Sequence, residues 1–379
     1  MNHRQRMILA SMGIVGIFVL IQVGALALVE PFQQGGLQGV EDTENPGLSI
    51  LYVGGILLAT LFMLGAIKYG GEQILRLIII FAGVYIAFIV FDVLLPPLGT
   101  VSGLSVSTVL AVAFAFGLGG VLYTYPEWYV IDAAGIVMGI GAAGLFGINF
   151  GVLPALVLLV VLAVYDAISV YGTEHMLTLA SGVMDMRVPV VFVVPLSLSY
   201  SFLDDSKPET VENEGSDTDP IDEELPTDPA EIDAETLNDL GADGVTALDR
   251  ELLAETELAE TEIEKLDDDV REIVTDENRD AMFIGLGDAV IPAILVASVA
   301  FFVDAGPTLS ILGVSANLPA VTAMIGTIVG LVVLLYLVQK GRAHAGLPLL
   351  NGGAIAGYLL GALASGLTLV EALGLETFL

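Results

Sequence analysis

Long apolar runs, separated by shorter polar stretches, dominate the pattern of this chain. They predict nine membrane-spanning helices at about residues 7–29, 49–67, 74–95, 102–122, 131–149, 152–171, 281–303, 318–338 and 347–370. Most runs match a hydrocarbon core of ~30 Å at a rise of ~1.5 Å per helical residue. The first run exceeds the core of a usual signal peptide, so we interpret it as an anchor, with a cleaved leader as the alternative. The pattern therefore predicts an all-α polytopic membrane protein.

One hydrophilic insert interrupts the apolar pattern and carries most of the charge. The 379 residues are 55% hydrophobic, yet the formal net charge is -33, because thirty of the 45 acidic residues lie in residues 204–280. We therefore divide the chain into a six-span part at 1–200, an acidic insert at 201–280 and a three-span part at 281–379. The insert is expected to be largely disordered, with a surface helix within 248–274. Its acidity favours solvation in a high-salt cytoplasm over binding of a basic partner.

The basic residues predict the orientation, because Lys and Arg are enriched in the cytoplasmic loops of membrane proteins. With the N-terminus inside, all 12 fall on the inner side: Arg4, Arg6, Lys68, Arg76, Arg187, Lys207, Arg250, Lys265, Arg271, Arg279, Lys340 and Arg342. We therefore predict a multi-pass protein of the cell membrane with a cytoplasmic N-terminus and a cytoplasmic insert. Nine spans then place the C-terminus outside the cytoplasm.

Two stretches after the sixth span are too short to cross a membrane. Thr173–Ala180 mixes polar and apolar positions, and we predict that it forms an interfacial amphipathic helix. Val188–Leu196 is rich in valine and contains two prolines, which predicts extended backbone. This second stretch is either a buried linker or a strand edge on which an unwound substrate could pair.

Two carboxylates, Asp166 and Asp288, fall inside predicted spans near the inner side. An acid in hydrocarbon costs at least ~2.5 kcal/mol, and such residues usually mark function. Helical rise puts Asp166 ~8 Å and Asp288 ~10 Å from the inner boundary, on consecutive spans. Two carboxylates a few ångströms apart do not both ionise easily, so one keeps a proton. One member can then take a proton from water while the other donates to a carbonyl oxygen, which is the chemistry of peptide hydrolysis.

A third element lies at a matching depth, at the start of the ninth span. Pro348 removes one backbone donor there and frees a carbonyl group nearby. The backbone is either irregular, which is tolerated at membrane depth where it lines a cavity, or it is an ordinary helix start with proline in the first turn.

Neither a metal nor a cofactor is predicted. The chain has no cysteine, which excludes disulfides and thiolate metal sites. Its three histidines, His3, His175 and His344, are too scattered in sequence to indicate a metal site. The expected chemistry therefore depends on the carboxylates.

Three motifs, in order, give the chain a family resemblance. Tyr165-Asp166 resembles the YD motif, and Gly285-Leu286-Gly287-Asp288 the GxGD motif, of presenilin and signal peptide peptidase. Pro348-Leu349-Leu350 is similar to their PAL motif, with Leu349 where alanine is usual. The nine spans and the insert between the sixth and the seventh also match, so the resemblance covers almost the whole chain.

The resemblance implies a presenilin-like fold and an intramembrane aspartic endopeptidase. Asp166 and Asp288 would be its catalytic aspartates. The other motif residues, Tyr165, Gly285, Leu286, Gly287, Pro348, Leu349 and Leu350, would shape the active site and contact substrate. The departure at Leu349 concerns local packing and substrate preference more than catalysis. The inside N-terminus is similar to that of presenilin, and the acidity indicates an archaeal homologue.

Two functions follow from these residues, and a third class, a structural membrane scaffold tuned by the acidic insert, would not use the two aspartates. The first is hydrolysis of peptide bonds in the transmembrane helices of single-span proteins, with a water activated by the two aspartates. Its partners are transmembrane substrates and the lipid bilayer, without nucleic acid, and the need for accessory subunits stays open. The alternative is a proton- or cation-coupled transporter or channel that uses intramembrane carboxylates. We favour the protease, because no inverted repeat is apparent and both acids lie toward one side of the membrane.

Overall fold

The computed structural model describes most of the membrane-spanning sequence and parts of the insert. The described residues are 3–40, 43, 45, 47–101, 103–170, 188–196, 232–246, 265–266, 270, 281–338 and 345–375. The predicted interfacial helix at Thr173–Ala180 lies outside them.

Helices make up most of the described chain. They are α1 (His3–Gln34), α2 (Gly47–Lys68), α3 (Glu72–Leu94), α4 (Val106–Thr124), α5 (Trp128–Asn149), α6 (Val152–Ile168), α7 (Ala234–Thr246), α8 (Leu286–Phe302), α9 (Leu318–Val338), α10 (Gly346–Ala364) and α11 (Leu369–Ala372). Six of them are long and apolar enough to cross a membrane, namely α1, α3, α4, α5, α9 and α10. Shorter apolar helical segments of 10–17 residues lie in α2, α6 and α8. The mostly helical membrane fold is therefore confirmed, and the helices are consistent with nine spans.

Within the described residues, three two-stranded sheets accompany the helices. Their strands are β1 (Thr100–Val101) with β2 (Leu104–Ser105), β3 (Val191–Pro195) with β4 (Ala281–Gly285), and β5 (Thr308–Ile311) with β6 (Val314–Asn317). The first and third are antiparallel hairpins between consecutive helices. The second joins strands that are far apart in sequence, and we call the β3–β4 pair the ribbon.

Two predicted span boundaries are wrong, because strands occupy residues assigned to helices. The fourth span was expected from residue 102, but a hairpin turn with Gly103 at φ 82° comes first and α4 begins at Val106. The seventh was expected from residue 281, but β4 occupies Ala281–Gly285 and α8 begins at Leu286. In the second case, pairing with β3 gives the backbone N–H and C=O groups of β4 the hydrogen bonds that a helix would otherwise provide.

Glycines allow the backbones of α9 and α10 to come into direct contact. A methyl group built on Gly326 or Gly330 of α9, or on Gly353 or Gly357 of α10, would collide with a main-chain carbonyl oxygen of the opposite helix. Small residues four positions apart let transmembrane helices approach in this way. The α9–α10 pair therefore fixes the position of α10, which also packs against α6 and α8.

The chain forms two compact units, one of residues 1–212 with 283–379 and one of residues 213–282. Within the smaller unit, α7 and nearby residues bury a small apolar cluster of Ile232, Ala234, Leu237, Val245, Leu266 and Val270. The helix α7 precedes the helix expected within 248–274, most of which lies outside the described residues. The division of the chain at residues 200 and 280 stays a prediction.

Candidate active site

Asp166 lies near the end of α6 and is bound by the start of α10. Only 6% of its surface is exposed. Its Oδ2 accepts a hydrogen bond from the backbone N–H of Leu347 at 3.0 Å, and the Gly346 backbone also donates to the carboxylate. The first N–H groups of a helix lack partners within the helix and carry partial positive charge. The N-terminus of α10 is therefore well placed to stabilise a carboxylate.

Asp288 is the third residue of α8, immediately after the ribbon. The Gly285 backbone donates a hydrogen bond to its carboxylate, as the N-cap residue of a helix does to a third-position acid in a capping box. Asp288 also borders α10, because a methyl group built on Gly346 would lie 3.5 Å from Asp288 Oδ2. Its position is thus determined by β4 before it and by α10 beside it.

The two carboxylates meet at one peptide unit, that of Gly346 and Leu347. Asp166 accepts the hydrogen bond of this unit, while Asp288 Oδ2 faces its glycine. Three helices, α6, α8 and α10, each contribute one part of this arrangement. The structure therefore brings the two sequence-predicted aspartates together, although Asp288 stands in the first turn of its helix rather than two turns inside.

The other predicted motif residues surround this point to different degrees. Gly285 is beside the carboxylate, since a methyl group on it would lie 3.2 Å from Asp288 Oδ2. Gly287 is exposed, whereas Tyr165 and Leu286 are partly buried. Gly287 therefore leaves an open approach to the start of α8, which larger side chains would cover.

Pro348, Leu349 and Leu350 belong to the first turns of α10. The backbone is helical from Gly346 onward, which agrees with an ordinary helix start and contradicts irregular backbone at Pro348. The carbonyl oxygen of Leu349 faces Gly330 of α9, and the Leu350 side chain is completely buried. This segment therefore anchors α10 between its neighbours and presents the Gly346–Leu347 unit to the aspartates.

Asn351 is a polar residue of the site region that belongs to none of the three sequence motifs. Its side chain is completely buried, and its Nδ2 donates to the carbonyl oxygen of Leu159 in α6 at 2.9 Å. Its Oδ1 is buried without a hydrogen-bond partner among the described residues. Leu159 and Asp166 are seven residues apart on α6, so Asn351 adds a polar bond to the α6–α10 contact about two turns away from Asp166. A lone amide inside an apolar run was the available signal.

Replacing Asn351 with Leu is expected to lower the turnover number while leaving stability unchanged or raised. The lost hydrogen bond costs about 1 kcal/mol, but removing the unpaired buried oxygen recovers about 1–3 kcal/mol. A small shift of α10 against α6 is expected to slow peptide-bond cleavage on the order of tenfold. Thermal unfolding and cleavage rates of the purified variant check both effects. A variant that is less stable but fully active would contradict the positioning role of Asn351.

Asp132 in α5 is the second polar residue whose role was not predicted. The sequence places Asp132 at the start of the fifth span, where we expect a carboxylate to reach interfacial water, but only 8% of its surface is exposed. Its Oδ1 instead accepts a hydrogen bond from the backbone N–H of Val193 in β3 at 2.8 Å. The sequence could not predict this contact, because it depends on the packing of β3 against α5, which is far away in the chain.

Comparisons with known proteins agree with this arrangement. The family model for signal-peptide peptidase and presenilin aspartyl protease matches residues 15–227 and 248–367. A solved structure of a presenilin family intramembrane aspartate protease, in space group C222, is 28% identical, with a TM-score of 0.55 over 93% of this chain and 99% of that chain. A P2 crystal form of such a protease is also 28% identical, with a TM-score of 0.53 over 93% and 97%. No curated protein matches the chain significantly.

Proposed function

The chain belongs to the signal-peptide peptidase and presenilin aspartyl protease family, and we infer that it is an intramembrane aspartic endopeptidase with Asp166 and Asp288 as its catalytic pair. The observation that carries the assignment of the pair is the convergence of both carboxylates on the Gly346–Leu347 peptide unit. The comparisons give no support to a proton- or cation-coupled transporter.

Hydrolysis by this pair needs no covalent intermediate. The ionised carboxylate takes a proton from water, and the water oxygen forms a bond to the scissile carbonyl carbon. The protonated carboxyl gives its proton to the carbonyl oxygen, which produces a neutral tetrahedral diol. The C–N bond then breaks as the leaving nitrogen receives a proton from one carboxyl, and a diol hydroxyl returns a proton to the other. The pair ends with the one proton it started with.

The substrates that fit this site are transmembrane segments of membrane proteins. A peptide bond inside an intact helix is shielded by its hydrogen bonds, so the scissile stretch must unwind before water can attack. The ribbon beside Asp288 offers the extended backbone with which an unwound stretch can pair. A single-span protein can enter the bundle from the bilayer more easily than one whose helices are packed together, so we propose single-span substrates.

The proposed orientation places the carboxylate pair near the cytoplasmic side. All 12 basic residues then lie on the inner side, in agreement with the enrichment of Lys and Arg in cytoplasmic loops. Water then reaches the pair over a short path from the cytoplasm. Protease protection of tags at the two termini of the chain tests this orientation.

The rate of cleavage is expected to follow a bell-shaped dependence on pH. Catalysis requires one ionised and one protonated carboxyl, so activity falls in acid when the base gains a proton and in alkali when the acid loses its proton. Rates measured in detergent micelles from acid to mildly alkaline pH, with reversibility checked at each end, test this. A rate that rises to a plateau without an alkaline fall would contradict the shared proton.

A further inference from the structure

Asp132 is a buried carboxylate that the proposed chemistry does not use. It lies at the start of α5, and its hydrogen bond to the Val193 backbone is 2.8 Å long. Burying a carboxylate is unfavourable unless hydrogen bonds compensate for the lost water. The contact between α5 and β3 is therefore specific.

Asp132 binds the edge of β3 that faces away from β4. On the other edge, the Val190 carbonyl oxygen accepts a hydrogen bond at 2.8 Å from the N–H of Leu286, the residue directly after β4. Backbone groups of successive residues in an extended chain point to alternate edges. The Val191 N–H points opposite to the Val190 carbonyl group in the same peptide unit, so it faces away from β4. Val193 is two positions further along β3, so its N–H faces the same outer edge, and Asp132 binds it there.

A proline and a turn limit hydrogen bonding along the rest of this outer edge. Pro195 lies two positions from Val193 in β3, so it falls on the same edge, and proline has no N–H group. Before β3 the chain turns, with the Val190 N–H bonded to the Val188 carbonyl oxygen at 2.8 Å. Within β3 this leaves Val191 and Val193 with outward N–H groups, and that of Val193 is bound to Asp132. The outer edge of β3 is therefore closed to regular pairing with another strand.

The same face of α5 also holds the start of α8. One turn after Asp132, a methyl group on Gly135 would lie 2.8 Å from the Phe192 ring of β3. One turn further, a methyl group on Gly139 would lie 3.3 Å from Leu286 Cδ1. Residues three and four apart share one face of a helix. This face therefore sets the position of the ribbon relative to the helix that bears Asp288.

We propose that Asp132 is a positioning residue for proteolysis, a role that rests on the proposed function. Its carboxylate fixes β3 to α5 and closes the outer edge of the ribbon, and this directs an extended substrate to the β4 edge. Since β4 leads through Gly285 into α8, a substrate on that edge is held beside Asp288. Asp132 acts through the ribbon and does not contact the reacting atoms.

The test compares Asp132→Ala with Asp132→Asn in proteoliposomes that contain a single-span substrate. An asparagine side chain keeps an oxygen that can accept the Val193 hydrogen bond, whereas alanine does not. We expect Asp132→Ala to lower kcat on the order of 10–100-fold, with a smaller change in KM and a wider spread of cleavage sites. Asp132→Asn is expected to stay close to wild type in all three. Asp92→Ala is the matched control. Asp92 is a partly buried acid near the C-terminal end of α3, whereas Asp132 lies near the N-terminal end of α5.

Hydrogen exchange of residues 188–196 provides a readout that does not depend on cleavage. We expect faster exchange there in Asp132→Ala and unchanged exchange in Asp132→Asn. If Asp132→Ala does not fold, Gly135→Ala tests the same contact between α5 and β3, because its methyl group presses on Phe192 and displaces the strand while Asp132 stays intact. A loss of kcat in this variant supports the positioning of the ribbon by α5, and an unchanged kcat overturns it.

Wild-type activity in Asp132→Ala would overturn the positioning role alone, as would equal losses in the Ala and Asn variants with no change in exchange. Failure of the wild-type protein to cleave any single-span substrate would overturn the proposed function, and the positioning role with it. Exchange at residues 188–196 would then still report whether Asp132 holds β3.

Discussion

Replacing Asp288 or Asp166 with Asn is expected to reduce cleavage of a reconstituted single-span substrate by on the order of 10⁴-fold or more. Asn has nearly the shape of Asp, so it preserves packing and can still accept the Leu347 hydrogen bond at position 166. It cannot exchange a proton with water or with the scissile carbonyl. Because the two carboxyl groups act as a unit, the double variant is expected to be no slower than either single variant.

The control for these variants is Asp304→Asn. Asp304 is an exposed acid just beyond the C-terminal end of α8. Its replacement makes the same chemical change as Asp288→Asn, but at the other end of the same helix. We expect wild-type rates from it, together with unchanged thermal unfolding in all variants. Substantial activity in either dyad variant would show that the two aspartates are not the catalytic pair.

Replacing Gly353 with Ala is expected to destabilise the membrane unit by about 3 kcal/mol or more. Its new methyl group would collide with the carbonyl oxygen of Gly326 in α9, and overpacking of this kind typically costs about 1–3 kcal/mol even against side chains that can move. Backbone cannot move aside without separating α9 from α10. The start of α10 would shift with it, so activity is expected to fall as well.

The adjacent Gly352→Ala is a matched control with the opposite expected sign. Among the residues that the structure describes, nothing lies within 4 Å of a methyl group built on Gly352. Alanine is also favoured over glycine in a helix by about 1 kcal/mol in water. Thermal unfolding of the two purified variants, side by side, measures the difference. Equal shifts in both would show that the glycines do not set the α9–α10 distance.

The span pattern and the carboxylate pair were predictable from the sequence because both follow from local constraints. A bilayer demands about 20 apolar residues per helix, and an acid inside such a run is conspicuous by its cost. The predicted depths of Asp166 and Asp288 were close to equal, and the structure does bring the two together at α10. Pro348 was recognisable too, although the backbone around it is an ordinary helix start.

The late start of α8 was not predictable from the same pattern. Ala281–Gly285 is apolar enough to extend the span, and only pairing with Val191–Pro195, far away in sequence, makes it a strand. Asp132 was misjudged for the same reason, since its partner Val193 comes from this strand. Asn351 shows the limit again, because its bond to Leu159 depends on how α6 and α10 pack. Nonlocal contacts, rather than propensity, determine all three.

The most direct test of the central claim is mass spectrometry of the fragments that purified protein releases from a single-span substrate in proteoliposomes. We predict new termini inside the hydrocarbon-spanning stretch of the substrate, no such fragments with Asp288→Asn or Asp166→Asn, and loss of the fragments with a transition-state analogue of aspartic proteases. Fragments that persist in both variants, or ion flux that depends on the two aspartates without any proteolysis, would contradict an intramembrane protease that works through this pair.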